Sequence, residues 1–166
     1  MKMKKNTGVP PGKALGLGIA ACLTMACPGP QVRPTPPPED CPPGAVETME
    51  KLGAEVGNEW IGVTWANPGG ATGRITVKEG WTSLRIYTGI PGLRPGTILT
   101  GKLIFGDRVY GRFTEARLPN GGGTVRVCME LLNNSLKRGL EREPGSSEGS
   151  VKVWNSGMVR AVDRFE

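Results

Sequence analysis

Thr124-Val125-Arg126-Val127-Cys128-Met129-Glu130-Leu131 alternates without a break. Val125, Val127, Met129 and Leu131 fall on one face, with Thr124, Arg126, Cys128 and Glu130 on the other. A period of two is the signature of a half-buried strand, because successive side chains leave a pleated backbone on opposite sides. The apolar face looks into a core and the Cys128 thiol looks outward. A thiol there suits a bridge that straps another segment onto the outside of a sheet.

The same period governs what precedes and follows. Ile61, Val63 and Trp65 alternate, Asn67-Pro68-Gly69-Gly70 turns the chain, and Ile75 and Val77 come next. Glu79-Gly80 reads as a tight hairpin into Trp81–Tyr87. Ile98–Phe105 and Val109–Leu118 form a hairpin about Gly106-Asp107. Val151–Trp154 and Met158–Phe165 read as a last hairpin about Asn155-Ser156-Gly157. Gly44–Gly53 is the one convincing helix, with Val46 and Met49 three apart, Glu47 and Lys51 paired at i,i+4, and glycine as the stop. With 26 glycines and 15 prolines in 166 residues, turns and short strands dominate. The expectation is a mainly β fold: a small antiparallel sandwich or barrel of about seven or eight strands with one short N-terminal helix.

The N-terminal quarter is organised differently. Lys2, Lys4, Lys5 and Lys13 precede an apolar run from Ala14 to Ala26 that closes on Leu23-Thr24-Met25-Ala26-Cys27. This is a basic n-region, an h-region and a small-residue cleavage site with a cysteine at the cut. Cys27 is the favoured lipid acceptor, since cutting before it leaves an h-region of thirteen residues. Cys22, after Ile19-Ala20-Ala21, is the alternative with a shorter one. Thirteen apolar residues are too few to span a bilayer. Residues 27–43 then read as a tether: eight prolines in the sixteen residues Pro28–Pro43 favour extended polyproline II. The organisation is therefore signal peptide 1–26, tether 27–43 and β domain 44–166. Cys41 and Cys128 remain as an even pair in an exported chain, which predicts a disulfide.

Charge and composition exclude several classes. The 21 Lys+Arg against 15 Asp+Glu give +6, but four lysines and no acid lie in 1–26. The rest of the chain carries 17 against 15, a net +2, too weak and too dispersed for nucleic acid. Histidine is absent, which removes Ser-His-Asp and Cys-His catalysis and the commonest transition-metal ligand. No metal and no cofactor is expected. Gly106–Phe113 has glycine spacing without the Lys-Ser/Thr of a phosphate loop, and the parts of a kinase site are not assembled. Glu115 and Glu130 lie on neighbouring strands where they can face each other as a hydrolase carboxylate pair, but Arg112, Arg117 and Arg126 favour cross-strand ion pairing. Trp65 is in phase with the core. Trp60 and Trp81 are out of phase with their apolar neighbours and point outward, with Tyr87 on the Trp81 face. Trp60, Trp81 and Tyr87 are the candidate partner-binding residues.

Signal, Cys27, the proline-rich tether and a compact β domain together resemble small bacterial envelope lipoproteins. Pro-Pro-Gly-Ala-Val (42–46) and Ala-Val-Asp-Arg-Phe (161–165) further resemble short lipoproteins, some of which carry a serine/threonine kinase label. The resemblance implies palmitate-type acylation of Cys27, anchoring to the lipid bilayer and, with Pro28 rather than an aspartate after the cysteine, an outer-membrane location facing out of the cytoplasm. The functional expectation is a non-catalytic binding or structural module with an envelope protein or glycan as partner. A sensory or accessory subunit of a trans-envelope, kinase-linked complex and a small His-independent hydrolase are the alternatives.

Overall fold

The described residues form ten strands and one helix, and six of the strands close on themselves. In order they are β1 (Glu39–Asp40), α1 (Ala45–Lys51), β2 (Trp60–Thr64), β3 (Arg74–Val77), β4 (Gly80–Thr88), β5 (Ile98–Phe105), β6 (Val109–Arg117), β7 (Thr124–Leu132), β8 (Val151–Trp154), β9 (Ser156–Ala161) and β10 (Arg164–Phe165). This computed structural model describes residues 33–57, 60–65 and 73–166, leaving out the side chain of Trp60. Strands β2, β4, β5, β6, β7 and β9 form a closed antiparallel barrel in that order, so its strands leave no free edge. The inward positions, among them Ile61, Leu84, Leu99, Phe113, Met129 and Val159, are buried.

One residue out of step keeps this alternation compatible with closure. Against β5, the register slips between Thr100 and Gly101, which makes Thr114 the extra residue of β6. The β6–β7 register slips at the same level, between Phe113 and Glu115. Val109, Gly111 and Phe113 are buried before the bulge, and Ala116 after it. A bulge re-phases a strand and sharpens its twist, which a barrel this small requires. Gly101 sits against the bulge. A Cβ there would come within 2.1 Å of the Arg112 carbonyl oxygen.

Two hairpins expected from turn residues are different objects. β3 and β4 do not pair: β3 pairs with β8, while β4 pairs with β2 and β5. Gly80, at φ +110, is a corner through which the chain leaves the β3–β8 ribbon and enters the barrel. Asn155 is a second corner, between β8 in the ribbon and β9 in the barrel. Its backbone accepts Trp65 N–H at 3.0 Å and donates to the Gly73 carbonyl at 2.8 Å, and its Oδ1 accepts Gly73 N–H at 2.9 Å. Turn residues report that a strand ends; the partner of the next one is chosen by packing.

α1 is set between Gly44 and Gly53, at φ +77 and +76. It buries Ala45 and Met49, one turn apart, against β7, and the Cys128 N–H donates to Met49 Sδ at 3.3 Å. Cys41 and Cys128 form the expected disulfide, with Cα atoms 5.5 Å apart across 87 positions. The described part of the proline-rich segment lies along the domain. Pro36 is buried, the Thr35 and Tyr110 hydroxyls are 3.4 Å apart, and Arg33 pairs with Glu79 at 2.9 Å. Residues 39–40 close a two-stranded ribbon with β10, Glu39 opposite Phe165.

Candidate functional site

The barrel register lines up one transverse row of positions. Trp81 lies opposite Lys102, Lys102 opposite Arg112, Arg112 opposite Glu130, Glu130 opposite Arg160, and Arg160 opposite Trp60. Two of the aromatic residues singled out from the sequence therefore stand at the two ends of one row, with three cations and one carboxylate between them. Direct cross-strand neighbours are about 5 Å apart, so such a row acts as a unit.

Its centre is covered by the C-terminal ribbon. Phe165 is buried and the Arg112 guanidinium lies 5.6 Å from its ring centre. Arg112 donates to Glu39 at 2.8 Å, to the Pro37 carbonyl and to the Glu166 backbone oxygen at 3.1 Å. Glu130, 2% exposed, accepts the Glu166 N–H at 2.8 Å and sits 3.5 Å from both Arg138 and Arg160. Arg138 also donates to the Glu166 oxygen. Burying charge is tolerated only with pairing of this kind. Among the described residues Glu130 Oε2 and Arg160 Nε have no hydrogen-bond partner, so within them the network is tight but not saturated.

Beside the ribbon, the Trp81 end of the row is open. Trp81 is 67% exposed, and the Lys102 ammonium sits 5.1 Å from its ring centre, a cation–π contact worth about 0.5–1 kcal/mol at an exposed site. Trp81, Lys102, Ile104, Arg112, Thr114 and Phe165 surround a cleft of about 120 Å³. Glu39 is also at its edge but is engaged by Arg112, whereas Lys102 has no ion pair among the described residues. An aromatic plate flanked by a free ammonium suits a ligand that offers an apolar surface beside negative charge.

Tyr87 is exposed on the same face of β4, six residues from Trp81, which at about 3.4 Å per residue is some 20 Å away. Its ring lies over β2: a Cβ on Gly62 would come within 2.7 Å of it. The structure thus separates Tyr87 from Trp81 instead of joining them in one aromatic patch. The Trp60 side chain, like Cys27, Cys22 and the whole signal segment, lies outside the described residues. Trp65 is half-buried against the core and donates its indole N–H to Thr82 at 3.0 Å.

Glu115 and Glu130 do not face each other. Glu115 is opposite Arg126, while Glu130 is opposite Arg112 and Arg160. Among the described residues no group of three or more Cys, Asp or Glu side chains is placed to hold a metal ion. Burial first, then its hydrogen bond to Asp107 at 2.6 Å, hold the Tyr110 phenol above the ordinary tyrosine value.

The row itself escapes sequence reasoning because it depends on registers between strands far apart in the chain. The available signal was the pattern of charged residues at outward positions 112, 130 and 160. The chain matches no protein-family model, and comparison with curated proteins finds no match.

Proposed function

We propose that this protein is a lipid-anchored binding module of the bacterial cell envelope, held by acyl chains on Cys27 and presenting the Trp81–Lys102 cleft to an envelope protein or glycan. It works outside the cytoplasm, at the outer membrane, without catalysing a reaction. The observation that carries this reading is the Cys41–Cys128 disulfide, because such bridges persist in oxidising compartments and the basic, apolar, cysteine-terminated leader supplies a route there. Full acylation supplies the two or more chains that stable anchoring needs.

The exposed Trp81 beside Lys102, which has no ion pair among the described residues, supports recognition at this cleft, since aromatic anchors dominate binding energy.

The test is cross-linking in cells followed by mass spectrometry of the tagged full-length protein, with Cys27→Ala and Trp81→Ala as comparisons. The expected result is an acylated Cys27 and a partner recovered with the parent chain but lost in both variants. An unacylated Cys27 refutes the anchor; a partner retained by Trp81→Ala refutes the cleft.

A further inference from the structure

A second concavity, sharing no lining residue with the Trp81 cleft, lies where β8 turns into β9. It has a volume of about 200 Å³ and is lined by Trp154, Ser156, Asn133, Asn134, Ser135 and Glu141, with Leu140 as its apolar floor. Val151 and Val153 are buried and Lys152 and Trp154 exposed, so the alternation of β8 puts this indole on the outside. It is 43% exposed yet held in place. Arg74 lies 5.3 Å from the ring centre and is itself fixed by Glu143 at 2.7 Å. A tryptophan held this way loses little freedom when a ligand stacks on it.

The polar lining is equally particular. Asn133 is committed to the loop, its Oδ1 accepting the N–H groups of Ser135 at 3.0 Å and Lys137 at 2.9 Å. Its Nδ2 donates to Glu141 Oε1 at 3.3 Å, and the Arg108 guanidinium reaches that same oxygen at 3.4 Å. One carboxylate oxygen is thus occupied and oriented, which leaves Oε2 to accept from a ligand. Asn134 and Ser135 are exposed, and neither side chain has a hydrogen bond within the described residues. An amide, two serine hydroxyls and a carboxylate oxygen together offer donors and acceptors in mixed order. Among the described lining residues the one charge is that of Glu141, and it is negative.

We infer that this pocket binds one uncharged sugar ring of a glycan. The apolar face of the ring stacks on Trp154, and its hydroxyls hydrogen-bond to Asn134, Ser135, Ser156 and Glu141. The volume is below the roughly 300 Å³ at which drug-sized sites begin, which fits a single ring of a longer chain. The Glu141 carboxylate disfavours an acidic sugar, while the nearby Arg108 and Arg74 are engaged by Glu141 and Glu143.

The test is calorimetric titration of the full-length, detergent-solubilised protein with two neutral oligosaccharides, N-acetylchitotetraose and maltotetraose, and with anionic tetragalacturonate. At least one neutral probe is expected to bind with a dissociation constant of about 1 mM or tighter, and tetragalacturonate more weakly. Trp154→Ala is expected to weaken binding by about tenfold or more, and Trp154→Phe by less. Asn134→Ala, an exposed loop substitution that leaves folding intact, is expected to weaken it severalfold. Failure of both neutral probes to bind overturns the inference, as does tighter binding of the acidic one or unchanged binding by Trp154→Ala and Asn134→Ala.

Discussion

Replacing Cys41 and Cys128 together by alanine removes the disulfide that ties the N-terminal strap to β7. The bridge closes a loop of 87 positions, for which the chain-entropy relation gives a destabilisation of about 4–5 kcal/mol on removal. Set against a typical domain stability of about 5–15 kcal/mol, this is a third of the total or more. The native strap keeps other attachments, namely β1 on β10 and Glu39 on Arg112, so the folded geometry survives and the loss falls mainly on the unfolded state. With a urea slope of about 2 kcal/mol/M, the unfolding midpoint drops by roughly 2 M. Tryptophan fluorescence of the oxidised full-length chain and of the double variant measures this directly. Hydrogen exchange of residues 33–43 should accelerate before that of β4–β7, because the strap opens locally once its tie is cut. A midpoint shift under about 0.5 M, or equal protection of strap and barrel, refutes the reasoning.

Three further outcomes follow from the same geometry. Glu130→Gln leaves the Arg138 and Arg160 cations facing each other; those side chains are 21% and 30% exposed, so solvent offsets part of the buried-pair penalty and a loss of about 1–3 kcal/mol is expected in urea unfolding, with no loss contradicting a structural role. Gly101→Ala must push Cβ into the Arg112 carbonyl; this is a backbone clash at the bulge, expected to cost about 2–4 kcal/mol and to lower thermal stability measurably. Tyr110 holds its proton more tightly when folded than when unfolded, so the stability it contributes is complete below the ordinary tyrosine range and is lost as pH rises through its raised value. Near-ultraviolet titration should show Tyr110 ionising above the ordinary tyrosine range, and Tyr110→Phe should abolish the corresponding alkaline loss of stability.

How much was legible differs by element. Strict alternation at 124–131 placed Cys128 outward, where the bridge from Cys41 meets it; Cys41 was expected as its partner from reading Cys22 and Cys27 as part of an export leader. The helix was legible from its two glycines and its apolar spacing, since both signals are local. The proline-rich segment was legible only in part. Its composition does favour an extended chain, but Pro36 is buried and β1 pairs with β10, contacts made with residues 70 or more positions away. Tyr87 failed to join Trp81 for a simpler reason: sharing a strand face says nothing about separation along it.

The sequence by itself determined the period of each strand, the ends of the helix and the sign of the net charge. These are short-range properties, set by the alternation of side chains, by glycine conformation and by the number of residues of a given kind. Only the tertiary structure decided that the sheet closes, that β3 goes to β8 instead of β4, and that Trp81, Lys102, Arg112, Glu130 and Arg160 form one row. Register across distant strands is fixed by the fit of the whole core, where a bulge at Thr114 and a missing side chain at Gly101 shift every outward residue beyond them. No window of the chain contains that information, because the energy that selects it is shared among strands that meet only when folded.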